Sequence, residues 1–453
     1  MSFRSITPVL EYIDHNSTRS IESLNELIRR PSVSAKAEGI QDCAHLVGEM
    51  MQALGVKTRI LEIGRDANPL VYGELKSKKN PKKTVLFYNH YDVQPPEPLE
   101  LWNSPPFEPV VKDGKVFGRG AADDKSELVG RLKLTEAFLE IHNDVPCNFK
   151  FIVEGEEEIG SKHLNDYIKR YQEISKADAV IWEFGGVDAN ERPIVTLGVK
   201  GILYVELASR NAKSDAHSSI GAIVDNPAWR LVWALSKLKK GEQILIPGWY
   251  DDIKPLSNKE LRLLDSQPFD EGAMRRDLGI RKFIDGMKGK ELRKALASKP
   301  TCTICGLNSG YTGPGSKTVL PKSAYAKIDF RLVPNQDPKD LKMKLGAYLR
   351  KLGFSDIEIR SLEMVRASRT SPEEPIALAA KNAAKFIHGK NPVISISSGV
   401  SGPMYLFKAP CVAIGGDSPF SRKHAPNEYV RIDLFVKGMK WVADTVNRFS
   451  LLP

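Results

Sequence analysis

The stretch TVLFYNHYD, residues 84–92, decides how the chain is read. Its apolar run shows no alternation, which fits a strand buried on both faces. It ends on His90 and Asp92, which project to the same side of an extended chain. Two further runs end in the same way. Residues 149–153 lead into Glu156, Glu157 and Glu158, and residues 179–182 lead into Glu183. A helical stretch over 126–141 separates the first two runs. Upstream, Ile21, Leu24, Leu27 and Ile28 share a helical face, and a second helix carries Ile40, Cys43, Ala44, Val47, Met51 and Leu54 before stopping at Gly55. Such alternation predicts an α/β fold with a largely buried sheet.

The middle of the chain differs. Residues 202–208 read as a strand with no helix before it. Asn226-Pro227 and Asp337-Pro338 each open a helix, with Pro suited to the first helical turn. Residues 324–332 alternate as a strand. These pieces predict a small α/β domain inserted into a larger one, although the charged stretch 239–300 between them gives no clear pattern. The α/β texture resumes near 370, with a helix at 376–388, a strand at 412–414 and a last helix from Phe435 to Phe449.

Composition bounds the function. The chain has 453 residues, of which 42% are hydrophobic and 27% charged, enough for two or three globular domains. No apolar run approaches a membrane span, and the first residues lack a signal-peptide layout. Five Cys, an odd number, do not suggest a disulfide framework, so a cytoplasmic location is expected. Net charge is +10, yet the basic residues are scattered, and KSKKNPKK at 76–83 reads as a solvated turn. Nucleic-acid binding is therefore not expected. Cys302-x-x-Cys305 has no second pair, so it reads as structural rather than as a metal knuckle.

Five groups of residues can carry chemistry. His90 and Asp92 read either as a metal ligand with its orienting carboxylate or as a satisfied His beside a loop Asp. Asp123 and Asp124, in G-R-G-A-A-D-D-K-S, read either as a solvated turn or as acids buried against a cation. Glu156, Glu157 and Glu158 directly follow a core strand, at the end where open α/β sheets usually bind ligands. Glu183 ends another strand, and His424 lies in S-R-K-H-A-P-N-E after Gly415-Gly416. Together they bring two imidazoles and several carboxylates to strand mouths, an inventory suited to a pair of borderline cations such as Zn²⁺.

In this order, H-x-D, G-R-G-x-x-D-D-K, E-G-x-E-E-x-G-S, a strand-end Glu and a late His, the chain resembles the dizinc metallopeptidase family. That family includes glutamate carboxypeptidase, aminoacylase, succinyl-diaminopimelate desuccinylase and the carnosinase-type dipeptidases. The resemblance spans roughly 15–450. It implies that His90 and Glu183 bind one metal, Glu158 and His424 the second, and that Asp123 bridges both. It also implies that Asp92 orients His90, that Glu157 is the general base, and that the Asp123–Asp124 peptide is cis. Zn²⁺ is favoured for both positions, with Mn²⁺ or Co²⁺ as alternatives. Two Zn²⁺ against three carboxylates leave one surplus positive charge, which favours a bridging hydroxide that attacks an amide carbonyl with Glu157 moving the proton.

The same resemblance implies a discontinuous catalytic domain, residues 1–197 and 368–453, with a central mixed sheet flanked by helices. Residues 198–367 would form a smaller α/β lid that carries the homodimer contact. In it, His217 would help hold the oxyanion in the partner's site, Arg331 would bind a substrate carboxylate, and Thr318 would touch substrate. Ser401 would lie on a substrate loop. Three positions depart from the family pattern: Ser126 replaces a Gly, Glu156 adds a third acid, and Glu183 is Asp in many dipeptidases. The expected activity is hydrolysis of dipeptides or short peptides with a free C-terminal carboxylate, with N-acyl-amino-acid deacylation as the alternative. A non-catalytic metal-binding scaffold is disfavoured, because all five ligand positions and Glu157 are present.

Overall fold

The structure, a computed structural model, describes residues 5–267 and 269–452. It divides into two compact units. Among the described residues, one comprises 5–198, 369–397 and 406–452, and the other 199–267, 269–368 and 398–405.

The first unit is built on a nine-stranded sheet. Its order is Lys57–Leu61, Leu70–Leu75, Asn148–Glu154, Thr84–His90, Ala179–Trp182, Cys411–Ala413, Pro193–Thr196, Val393–Ser395, with Gly186–Val187 paired on Pro193–Thr196. The sheet is mixed. Thr84–His90 runs parallel to both of its neighbours, whereas the Lys57–Leu61 edge is antiparallel. Residues Val85 to His90 are buried throughout, as expected for a strand covered on both faces. The helices Thr7–His15, Ser17–Ile28, Lys125–His142, Pro375–His388 and Ile432–Leu451 pack with the sheet around one apolar core. Lys125–His142 buries polar as well as apolar positions, among them Lys125 and Arg131, so its burial is not confined to one stripe. Because Thr84–His90 and Asn148–Glu154 run in parallel register, with His90 opposite Glu154, their carboxyl ends open at the same edge.

The second unit is a four-stranded antiparallel sheet in the order Thr303–Ser309, Ser323–Leu332, Gly201–Arg210, Glu358–Val365. The helices Pro227–Ser236 and Pro338–Lys351 pack on it over a core that includes Leu203, Val205, Ile328 and Phe330. The caps follow the sequence. Asn226 Oδ1 accepts the Ala228 N–H at 2.8 Å and Asp337 Oδ1 accepts the Lys339 N–H at 2.9 Å. The stretch 239–300 forms a short hairpin and the helices Asn258–Ser266, Glu271–Leu278 and Gly289–Ser298. Each of these helices buries at most two residues, too few to leave a readable apolar period.

Residues 398–405, read from sequence as part of the second catalytic segment, cluster with the second unit instead. Backbone bonds from the Lys200 N–H to the carbonyls of Ser398 and Val400 hold them there. Among the described residues, no helix is long and apolar enough to cross a membrane.

Candidate metal centre

The site forms at the carboxyl ends of the first unit's central strands. His90 terminates the Thr84–His90 strand with its ring buried. Its Nδ1 lies 3.0 Å from the Asp92 carbonyl oxygen and 3.3 Å from Asp92 Oδ1. The Asp92 carboxylate also accepts the backbone N–H groups of Glu157 at 3.2 Å and Glu158 at 3.1 Å. One buried carboxylate thus orients an imidazole and fixes the acid turn at the end of the neighbouring strand.

Asp123 and Asp124 are joined by a cis peptide at the start of the Lys125–His142 helix. The Asp124 carboxylate accepts Asn89 Nδ2–H at 2.7 Å and the His90 N–H at 3.2 Å. Asp123 faces the other way. Its Oδ1 is 3.3 Å from His90 Nε2, and its Oδ2 is 3.1 Å from His424 Nε2. Glu158 Oε2 lies 3.3 Å from the same His424 nitrogen and accepts Gln94 Nε2–H at 2.9 Å. Donor atoms of Asp123, Glu158 and His424 all fall within 4.8 Å of one another. His424 itself has φ 59°, and its neighbours Arg422 and Asn427 share that left-handed backbone, uncommon for residues with a side chain. Glu183 follows the Ala179–Trp182 strand. Its Oε1 accepts Trp182 Nε1–H at 2.8 Å, while its buried Oε2 has no hydrogen-bond partner among the described residues.

The electrostatics are those of acids crowded out of water. Burial lifts the Glu157 carboxyl to about 8, His90 opposing while Glu158, Asp123 and Asp92 push it further up. Burial and Asp123 lift Glu158 to about 7, against His90 and His424. Burial and the charge of Glu157 push Glu183 well up. Asp123 goes the other way. Burial would raise it, but Lys423 and the bonds to His424 and His90 hold it well below the usual range. Burial would lower His90, yet its bonds to Asp123 and Asp92 raise it well above ordinary imidazole. The orphaned Glu183 oxygen and the surplus of buried carboxylates fit cationic occupants. Three carboxylates and two imidazoles are a donor set for Zn²⁺, Mn²⁺ or Co²⁺.

Residues 86–448 match the sequence profile of Peptidase family M20/M25/M40. The chain belongs to peptidase family M20. The match covers most of the chain and includes every residue of the centre just described. This M20 peptidase is similar to the Cys-Gly metallodipeptidase dug1 of Schizosaccharomyces pombe, 28% identical over 98% of each chain. It is also similar to the human Beta-Ala-His dipeptidase, 28% identical over 85% of this chain and 80% of that one. Among solved structures it resembles the M20 family metallo-carboxypeptidase Sso-CP2 from Sulfolobus solfataricus, with a TM-score of 0.88 and 37% identity, covering 96% of this chain and 99% of that one.

The four remaining predicted residues of the M20 chain lie in the second unit. His217 is on a short strand opposite Val319, and the Ser218 N–H donates to the Thr318 carbonyl at 3.2 Å, so His217 and Thr318 are neighbours. His217 Nδ1 accepts the Ser219 N–H at 3.2 Å, which assigns the ring proton of the neutral form to Nε2. Arg331 and Ser401 also meet, with Nη1 donating to Ser401 Oγ at 2.9 Å, while Nε donates to Asp329 at 3.1 Å.

Several residues around the centre were missed from sequence. Lys423 pairs with Asp417 at 2.8 Å and supplies positive charge beside Asp123. Lys125, fully buried, donates from Nζ to the Leu27 carbonyl at 3.0 Å and the Arg30 carbonyl at 2.7 Å, which caps the end of the Ser17–Ile28 helix. Arg119 and Glu428 form a buried pair at 2.7 Å. All four sit inside quoted motifs, so the signal was a charged residue beside a ligand, with nothing local to say what it faces.

Proposed function

We propose that this M20 peptidase hydrolyses the amide bond of dipeptides or short peptides with a free C-terminal carboxylate, using two divalent cations. The observation that carries this reading is Asp123, whose two carboxylate oxygens face His90 and His424 separately. His90 and Glu183 would hold one cation, Glu158 and His424 the other, and Asp123 both. Zn²⁺ suits these donors best, with Mn²⁺ or Co²⁺ able to use the same set. When bound, such cations supply Lewis-acid polarisation of the carbonyl and a more acidic water.

The chain's own residues do the rest. Glu157, ionised once the cations are bound, takes the proton of the attacking water and returns it to the leaving nitrogen. Asp92 keeps His90 in one tautomer and holds Glu157 in register through its backbone N–H. Arg331, with Ser401 on its Nη1 and Nη2 left without a partner among the described residues, is suited to a substrate carboxylate. His217, whose Nε2 has no hydrogen-bond partner among the described residues, would steady the oxyanion from a partner subunit, and Thr318 beside it would contact substrate.

Residues 1–197 and 368–453, less the segment 398–405 that clusters with the second unit, would be the catalytic domain, and 198–367 the lid and dimer contact of a homodimer. Exposed Trp229, Val232 and Trp233 on the Pro227–Ser236 helix support that contact. Five free cysteines support a cytoplasmic location. A dipeptide panel assayed against N-acetyl amino acids, with and without added metal, tests the reading. Faster turnover of the acetyl compounds would replace peptidase by deacylase chemistry, and metal-independent turnover would remove the dimetal mechanism.

A further inference from the structure

Glu428 has no part in the mechanism above, yet its carboxylate is completely engaged. Its Oε2 accepts from Arg119 Nη1 at 2.7 Å and from the Gly120 N–H at 3.0 Å. Its Oε1 accepts from the Ala122 N–H at 2.9 Å and the Asp123 N–H at 3.0 Å. The loop before the Lys125–His142 helix is therefore wrapped around one carboxylate, whose capacity for acceptance is about filled. The clasp is rigid on its far side as well. Arg119 Nη2 donates to the Pro95 carbonyl at 3.2 Å, and its guanidinium lies over the Trp102 ring.

A buried ion pair is a weak reason for a carboxylate, since apolar packing often serves stability as well. This one also places negative charge beside an already crowded acid cluster. What only a carboxylate can do here is accept four converging donors and so dictate a loop's shape. That loop ends in Asp123. Glu428 lies four residues after His424, and the segment is stitched in place by Tyr429–Arg431 pairing with Lys115–Phe117 and by the Gly118 N–H donating to the Glu428 carbonyl at 3.0 Å. Asp123 thus stands between two anchors. Through Asp124 it is tied to Asn89 and His90, and through its own N–H it is tied to the turn that carries His424.

We propose that Glu428 is a positioning residue that sets Asp123 against His424, so that the cation between Asp123, Glu158 and His424 depends on it far more than the one beside His90. The inference rests on the dimetal reading above. It predicts that Glu428→Gln, whose amide can accept at one oxygen only, keeps one cation and loses its grip on the other.

The test is a Zn²⁺ titration of apoenzyme against a chromophoric chelator, with melting temperature measured on the same samples. Wild type should show two tight sites. E428Q should show one site of near wild-type affinity and one weakened about 10–100-fold, the range for losing a partner of a metal ligand. Val446→Ala, a core truncation in the Ile432–Leu451 helix, serves as the stability control and should lower the melting temperature while leaving both affinities alone. If E428Q does not fold, Glu428→Asp, which keeps the charge but draws it back by one methylene, is read in the same way. The proposal is overturned if the Glu428 variant binds both ions as wild type does, or if V446A loses the second ion equally. Wild type that takes up fewer than two ions overturns the dimetal reading and the proposal with it.

Discussion

Loading the centre with cations should expel protons, and a lower bound on their number follows from the site. Burial with the neighbouring charges sets Glu157 at about 8 and Glu158 at about 7. At pH 7 the first carries about nine-tenths of a proton and the second about half. Glu183, pushed up by burial and Glu157, adds to the count. So do His90, raised against its burial by the bonds to Asp123 and Asp92, and His424, raised first by its bond to Asp123. Cations require unprotonated donors and ionise the acids around them. Uptake at pH 7 should therefore release at least about 1.4 protons per chain, and affinity should rise more than about tenfold per pH unit near neutrality. Calorimetric titration of apoenzyme with Zn²⁺ in two buffers of different ionisation enthalpy reads the proton count directly. Release below about half a proton would refute the picture of acids strained by burial.

The same shifts carry a stability signature. A carboxyl raised in the folded state contributes stability that is present below its ordinary pKa and lost as pH rises through the folded value. The apo chain should melt at progressively lower temperature between pH 5 and pH 8, and the loaded chain should not.

Glu157→Gln should leave cation uptake intact and lower kcat by about 10²–10⁴-fold, because the amide cannot shuttle a proton; unchanged turnover in a steady-state assay would remove Glu157 as the base. Lys125→Met strips two charge-assisted bonds from the end of the Ser17–Ile28 helix, leaving the Leu27 carbonyl with the Arg30 N–H and the Arg30 carbonyl open to solvent, so a urea titration should show a loss of about 1–3 kcal/mol, and a loss below about 0.5 kcal/mol would mean that water or rearrangement replaces the cap. His388 packs edge-on against Trp441 with centroids 5.2 Å apart, and burial followed by Lys437 and Lys390 lowers it to about 4. A depressed His pKa means stability present above about 6.5 and lost as pH falls through about 4. His388→Phe should therefore flatten the acid limb of the melting curve over that window, and an unchanged limb would show that other groups control it.

Much of the fold was legible because burial leaves a local mark. The continuous apolar runs at 84–88 and 149–153 became adjacent parallel strands of the large sheet, and the Asn-Pro and Asp-Pro pairs became capped helix starts. The order of that sheet was not legible. Cys411–Ala413 inserts between Ala179–Trp182 and Pro193–Thr196, a pairing set by packing among segments far apart in sequence. The transfer of residues 398–405 to the second unit was hidden for a similar reason, since it depends on backbone bonds from Lys200.

The centre divides along the same line. Residue type and period establish which side chains end core strands, because a histidine or an acid after a buried run must lie at a strand mouth. Neither states which of them meet. His90 and His424 are 334 positions apart by number, yet their Nε2 atoms sit 3.3 Å and 3.1 Å from the two oxygens of one aspartate. Strand order and a clasp of backbone donors around Glu428 bring them there. Periodicity records which residues are buried, whereas convergence depends on hydrogen bonds between distant segments, which leave no trace in any local pattern.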